Sequence, residues 1–255
     1  MQLKHNYYYF TSALTKSDCE KILNAGFKKL QEYEENNIDK TAVTRDDKVS
    51  KQKNDKRIPK NEKTLFQLKK EGKHFDDVYV RDSEVCFLND LWLYDIISPY
   101  IKKANISAGW NFEIDAFEDL QFTVYKPGGF YSWHKDGGSD ENSIYKRYIS
   151  GVTDEKDKSY TTYKNYIGKV RKISMTLNLS PPEQYEGGDL LFSDDIDSVH
   201  YNDENFNNQN YFKCKEIKPQ GSIIVFPSFL SHCVTPINKG VRYSLVCWCL
   251  GRPFK

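Results

Sequence analysis

The chain has 255 residues, of which 38% are hydrophobic, 15% aromatic and 29% charged, and its formal net charge is +1. That length can bury one sizeable core, and so small a charge gives no global attraction to nucleic acid or to an anionic membrane. No apolar run approaches the ~20 residues needed to span a bilayer, and MQLKHNYYYF lacks the apolar core of a secretion signal, so a cytoplasmic protein without membrane association is expected.

Residues 10–36 predict a helix, with Thr15 or Ser17 able to cap it and Cys19, Ile22, Leu23, Phe27 and Leu30 at helical spacing. Residues 40–73 hold twelve Lys/Arg against five Asp/Glu and few large apolar residues. This predicts a solvated loop or ragged helix, the alternative being a basic surface for an acidic partner. From Glu84 to Ile106, the apolar residues Val85, Leu88, Leu91, Trp92, Ile96, Ile97 and Ile101 predict a second helical layer, broken near Pro99.

After residue 108 the pattern changes to short β-rich runs: 110–115, 119–125, 130–136, 172–179, 188–192, 211–217, 221–226, 231–237 and 241–249. Helices followed by many short strands predict an α+β fold, a jelly-roll or barrel-like double sheet with N-terminal helices packed on it. One domain is expected over 1–255, with 1–108 as helical support and 109–255 as the β core. Two stretches interrupt that core, 138–168 (rich in Tyr, Lys, Asp and Ser) and 193–210 (acidic and Asn-rich). Loops of that length are functional covers or surface insertions. Six cysteines, Cys19, Cys86, Cys214, Cys233, Cys247 and Cys249, show no C-x-x-C spacing and are expected as buried free thiols in a reducing compartment.

The stretch FYSWHKDGG (130–138) places His134 and Asp136 two apart. On a strand both side chains point to one face, with Phe130 and Ser132, while Tyr131 and Trp133 face the other way. A divalent cation would satisfy both groups; so would water, if the strand ended at Trp133. H-x-D alone is a weak signal. Among the other histidines, His74 and His200 sit in charged, turn-like surroundings, whereas His232 lies between two strand-like runs. Two imidazoles and one carboxylate form the facial triad of non-haem Fe(II) oxygenases. Asn238-Lys239-Gly240 predicts a three-residue hairpin loop with Gly240 left-handed. Ile237 would then pair with Val241 and His232 with Val246, which puts Arg242 on the face of His232 at roughly 13 Å along the strand. A guanidinium buried there would take a small dicarboxylate. Taken alone, Arg242 is better read as the partner of a protein acid at the sheet end.

With these pieces in place, the sequence resembles the 2-oxoglutarate- and Fe(II)-dependent oxygenases, in their prolyl 4-hydroxylase-like branch. The resemblance rests on QFTVYKPGGFYSWHKD, RKISMTLNLSPPEQYEGGDLLF, GSIIVFPS, SHCVTPINKGVRYSL and a closing Trp. It implies a double-stranded β-helix (jelly-roll, cupin-like) core. It also implies Fe(II) held by His134, Asp136 and His232, with 2-oxoglutarate held at its distal carboxylate by Arg242 and Tyr125. Asn178 falls at a further co-substrate position, where it departs from the family's usual residue. Arg171 and Trp248 match positions that face substrate. The implied reaction consumes dioxygen and 2-oxoglutarate, releases succinate and carbon dioxide, and hydroxylates a peptidyl proline in a protein or peptide partner, with ascorbate as an accessory reductant. The long spacing from Asp136 to His232 is accounted for by the two insertions, and 138–168 is expected to act as a lid. Hydroxylation of another side chain or of a small molecule is the alternative within the class. A cupin-like module with a structural metal is the alternative outside it, and the intact Arg242 and Tyr125 speak against that. Nucleic-acid demethylation has only residues 40–73 in its favour.

Overall fold

The computed structural model describes residues 3–42, 44–45, 79–138, 143–150, 160–193 and 211–254. His74, His200, nearly all of the basic 40–73 stretch and most of the 193–210 insertion lie outside the described residues, as do 139–142 and 151–159 of the segment expected to be a lid.

Among the described residues, two helices, α1 (Lys16–Glu35) and α2 (Leu91–Ser107), accompany a largely β structure. The larger sheet runs, in spatial order, β1 (Tyr8–Phe10), β14 (Ile223–Pro227), β10 (Val170–Asn178), β17 (Arg242–Gly251), β6 (Leu120–Tyr125) and β4 (Glu84–Leu88), with β5 (Ala116–Phe117) also on β17. The other main sheet runs β13 (Phe212–Lys213), β12 (Leu190–Ser193), β15 (Ser231–Val234), β7 (Phe130–His134), β3 (Tyr79–Asp82) and β2 (Thr44–Arg45). Two small ladders pair β8 (Lys146–Arg147) with β9 (Tyr160–Thr161), and β11 (Tyr185–Gly187) with β16 (Ile237–Gly240). No helix among the described residues is long and apolar enough to cross a membrane.

Strand alternation decides which side chains meet helices and which meet the opposite sheet. On β17, Leu245, Cys247 and Cys249 join the core that also holds Ile22 of α1 and Leu93, Ile97 and Ile101 of α2. Arg242, Ser244, Val246 and Trp248 point to the other face, into a cleft. Between the sheets, Ile224 and Phe226 of the larger one pack with Leu190, Phe192 and Val234 of the other. All six cysteines are buried free thiols, as expected.

Helix α1 starts where the sequence places it. Thr15 and Asp18 form a reciprocal capping box, the Thr15 hydroxyl accepting from the Asp18 N–H at 3.2 Å and the Asp18 carboxylate from the Thr15 N–H at 3.3 Å. Its buried stripe includes Gly26, where an added Cβ would stand 2.6 Å from the ring of the fully buried Phe122 on β6. Gly26→Ala therefore overpacks the joint, at about 1–3 kcal/mol, against a helix-propensity gain of at most ~1 kcal/mol. The expected result in urea unfolding is a net loss near 1 kcal/mol; stability equal to wild type would show that α1 shifts to make room.

Three expectations need correcting. Residues 84–88 are a strand, not helix: the alternation of E-V-C-F-L buries Cys86 and Leu88. Helix α2 then runs through Pro99 without a break, because burying Leu93, Ile97 and Ile101, each worth about 1.5–3 kcal/mol, outweighs the ~3 kcal/mol cost of the proline. The 238–240 hairpin does not form. Gly240 does adopt a positive φ of 75°, but Ile237–Gly240 pairs with Tyr185–Gly187, and β17 pairs with β6 and β10. His232 and Arg242 thus belong to different sheets. Smaller differences occur at 110–115, where only β5 follows as a strand, and at 211–217, where two strand residues lead into a short 3-10 turn.

Candidate metal and carboxylate site

His134 ends β7, His232 lies on β15, and the two residues pair across the sheet. Between His134 and Tyr131, β7 holds one residue more than β15 holds between His232 and Val234. This bulge breaks strict alternation. It brings Tyr131 to the side of His134, where the rings stack with centroids 3.5 Å apart and both line the cleft. Tyr131 therefore walls the pocket in place of Phe130 and Ser132, whereas Trp133 does face away, against Leu191 and Cys233.

Asp136 lies just beyond the strand. Its backbone is fixed by the neighbouring Gly137 N–H, which donates to the Ser228 carbonyl at 3.0 Å, and by Arg171 Nη1, which donates to the Asp136 carbonyl at 3.3 Å. The Asp136 carboxylate oxygens sit 3.5 Å from Nε2 of His134 and 3.5 Å from Nε2 of His232. Each histidine offers its Nδ1–H to the carbonyl two residues back, His134 to Ser132 at 2.8 Å and His232 to Leu230 at 3.0 Å. Those bonds leave both Nε2 lone pairs free and aim them at one point. The donor atoms of the three residues lie within 4.8 Å of one another, a set suited to a first-row divalent cation with open positions.

Electrostatics favour the same occupant. Burial works to raise the Asp136 carboxyl, but the charges of His232, His134 and Arg171 hold it well below the usual carboxylate range. Burial, then His134, push His232 down to about 4 against the pull of Asp136. His232 is thus neutral at pH 7, with its Nε2 lone pair available. An ionised carboxylate beside a neutral imidazole is the protonation state in which both groups ligate a divalent cation.

Arg242 pairs with Tyr125 between β17 and β6. Its residue is 1% exposed, its Nε has no hydrogen-bond partner, and no acid pairs with it among the described residues. The guanidinium carbon lies 5.6 Å from the Tyr125 ring centroid. A guanidinium buried without an acid is costly, and a carboxylate from outside the chain would relieve it. Arg242, Tyr125 and the three donors line one cleft of about 460 Å³, counting its open mouth. The cleft is where the two sheets' inward faces meet, so the predicted convergence holds although the hairpin behind it does not.

Trp248 lines the same cleft, and the guanidinium of Arg171 stacks on its ring at 3.8 Å. Arg171 is held in turn by both oxygens of Glu118, at 2.6 Å and 2.6 Å. Asn178 does not join them. Its amide donates to the carbonyls of Ser180 and Lys218 at 3.0 and 2.9 Å and accepts from the Ser180 N–H, so it staples a chain turn at the end of β10. Arg81, which sequence reasoning missed, does line the cleft. It is 7% exposed, donates to Ser83 at 2.9 Å, leaves Nη2 unpartnered and lies 4.6 Å from the Tyr131 ring centroid. Its only local signal was a lone arginine beside a charged stretch.

Comparison with known proteins agrees with this geometry. The family model for the 2OG-Fe(II) oxygenase superfamily matches residues 120–250. A PKHD-type hydroxylase of Klebsiella pneumoniae subsp. pneumoniae is 28% identical over 128 residues, 50% of this chain and 41% of that protein. One of Hyphomonas neptunium is 39% identical over 77 residues, 30% of this chain and 27% of that protein. The chain thus spans less than half the length of these curated relatives. Among solved structures, the viral collagen prolyl hydroxylase of Paramecium Bursaria Chlorella virus-1 superimposes with a TM-score of 0.52 at 17% identity, covering 97% of each chain. A Pseudomonas putida prolyl-4-hydroxylase gives 0.52 at 16% identity, covering 97% of this chain and 94% of that one. At such identities the likeness speaks for the fold alone.

Proposed function

The chain belongs to the 2OG-Fe(II) oxygenase superfamily, and from that premise we propose that it is a prolyl 4-hydroxylase-like dioxygenase acting on a peptidyl proline. Its two facing sheets make up the double-stranded β-helix of a single catalytic domain. Fe(II), when bound with 2-oxoglutarate and dioxygen, couples release of succinate and carbon dioxide to hydroxylation of an unactivated C–H bond. His134 and His232, through Nε2, and Asp136, through its carboxylate, are the residues that would hold the metal. Arg242, backed by Tyr125, would hold the distal carboxylate of 2-oxoglutarate.

The observation that carries this reading is the pairing, in one cleft, of a three-donor cation site with a buried guanidinium that has no acid partner among the described residues. A structural metal needs no carboxylate anchor beside it, which disfavours a non-catalytic module. The chain's own contribution is to orient: the Nδ1–H bonds fix both imidazoles, Arg242 fixes the far end of the co-substrate, and the apolar wall of Leu190, Phe226, Val234 and Val246 excludes water. Proline suits the remaining wall, because Pro-containing segments dock in aromatic-lined grooves and Tyr131 and Trp248 both line the cleft. Ascorbate would serve as accessory reductant, and six buried free thiols fit a cytoplasmic setting.

The test is turnover with Fe(II), 2-oxoglutarate and a panel of proline-containing peptides, read by mass spectrometry. One added oxygen on proline per succinate formed is expected. Oxygen on a different residue, or succinate without peptide oxidation, would overturn the proline assignment and leave the family chemistry standing.

A further inference from the structure

Between β7 and β10, the described residues 143–150 and 160–169 lie against residues 115–119. Backbone bonds tie these parts together: Tyr148 N–H to Thr161 at 2.9 Å, Tyr145 N–H to Lys169 at 2.9 Å, and Gly168 N–H to Tyr145 at 2.8 Å. Two tyrosine hydroxyls then reach the core. Tyr166 donates to the backbone carbonyl of Phe117 at 3.0 Å, which only docks the segment. Tyr145 donates to Glu118 Oε1 at 2.9 Å, and Glu118 is the residue that grips Arg171.

A continuous set of contacts therefore runs from the insertion to the cleft: Tyr145 hydroxyl, Glu118 carboxylate, Arg171 guanidinium, Trp248 ring, with a branch from Arg171 to the Asp136 carbonyl. The two-pronged Glu118–Arg171 pair is stiff within itself, yet it can swing as a unit about the side-chain torsions of both residues. The Asp136 carbonyl ties the Arg171 side of the pair at 3.3 Å, and the Tyr145 hydroxyl ties the Glu118 side at 2.9 Å. We infer that the insertion is a positioning element for the substrate wall, in which the Tyr145 hydroxyl locks the Glu118–Arg171 pair so that the guanidinium lies flat on Trp248. Burial, the largest influence, and Glu118 push the Tyr145 phenol up to about 12, so it remains a donor throughout the assay range. Tyr145 is thus a positioning residue, acting through Glu118 and Arg171. Its effect on peptide binding rests on the function proposed above, whereas its effect on Arg171 does not.

The experiment uses the full chain labelled with ¹⁵N-arginine. The Arg171 Nε–H, bonded to Glu118 and close to the Trp248 ring, is expected as a slowly exchanging, ring-current-shifted signal. Tyr145→Phe keeps the ring packed against Ala116, Tyr166 and Leu250 and removes only the hydroxyl. It should speed exchange of that signal about tenfold, the order expected for a hydrogen bond to a charged group, and move its shift toward that of a free arginine. Tyr166→Phe, which loosens the same insertion without touching Glu118, should leave the signal in place. With a turned-over peptide, Tyr145→Phe should raise the peptide KM about tenfold, with kcat within about twofold and the KM for 2-oxoglutarate unchanged. An Arg171 signal unmoved by Tyr145→Phe, or moved equally by Tyr166→Phe, overturns the inference. So does an unchanged peptide KM alongside a moved signal. If wild type turns over no peptide, the proline assignment fails, and the Arg171 signal still decides this inference.

Discussion

Asp136→Asn is expected to remove most of the Fe(II)-dependent stabilisation and take turnover below detection, while the metal-free protein stays folded. Asp136 supplies the sole carboxylate of the three-donor set and stands 3.5 Å from both Nε2 atoms. Losing its charge should weaken Fe(II) by at least ~100-fold, since even an outer partner of a metal ligand is worth 10- to 100-fold. At 100 times the dissociation constant a bound ion adds about 2.7 kcal/mol to stability. After a 100-fold loss of affinity, the same concentration adds only about 0.4 kcal/mol. For a chain this size the anaerobic Fe(II)-induced rise in melting temperature should shrink from roughly 5–10 °C to about 1 °C. The fold itself should persist, because Asn fills the same space as Asp and the Arg171 bond at this point goes to the Asp136 backbone carbonyl, which the substitution leaves in place. A metal-induced rise equal to wild type would exclude Asp136 from the site.

Arg242→Met should split binding from stability in opposite directions. The guanidinium is buried, and no acid pairs with it among the described residues. A similar-sized apolar side chain there should leave the metal-free protein as stable as wild type or more so. The affinity for 2-oxoglutarate should fall about 100-fold, equivalent to ~2.7 kcal/mol, within the range for truncating one partner of a buried charge pair. Arg242→Lys keeps the charge but loses the two-pronged geometry and should fall between the two. Calorimetric titration of 2-oxoglutarate into Fe(II)-loaded protein under nitrogen, with parallel melts, checks both signs. A destabilised Arg242→Met protein with unchanged affinity would mean that the residue serves the core alone.

The features legible in the sequence were those carried by local period. The alternation along β17 sends Arg242, Ser244, Val246 and Trp248 to one face, and the stripe of α1 was equally visible, with its cap narrowed to Thr15 or Ser17, of which Thr15 serves. What escaped depended on partners distant in sequence. Ile237–Gly240 carries a good turn signal, yet it is recruited by Tyr185–Gly187, some fifty residues away, and no hairpin rule registers that competition. A single extra residue in β7 reverses the facing of Tyr131, and a bulge leaves no mark in the residue types. Asn178 stands at an inward strand position, but two carbonyls claim its amide. Helix α2 passes Pro99 because burial of its apolar face overrides a local breaker. Glu118 and Tyr145 were invisible because their roles exist only through Arg171.

The central claim is that one cleft holds Fe(II) at His134, Asp136 and His232 and a 2-oxo dicarboxylate reaching to Arg242. Anaerobic absorption spectroscopy tests it most directly, since a 2-oxo acid chelating Fe(II) gives a visible charge-transfer band. Wild type should develop that band with one equivalent each of Fe(II) and 2-oxoglutarate, Arg242→Met should need about 100-fold more co-substrate, and Asp136→Asn should give none. Absence of the band in wild type, or an undiminished band in Asp136→Asn, would contradict it.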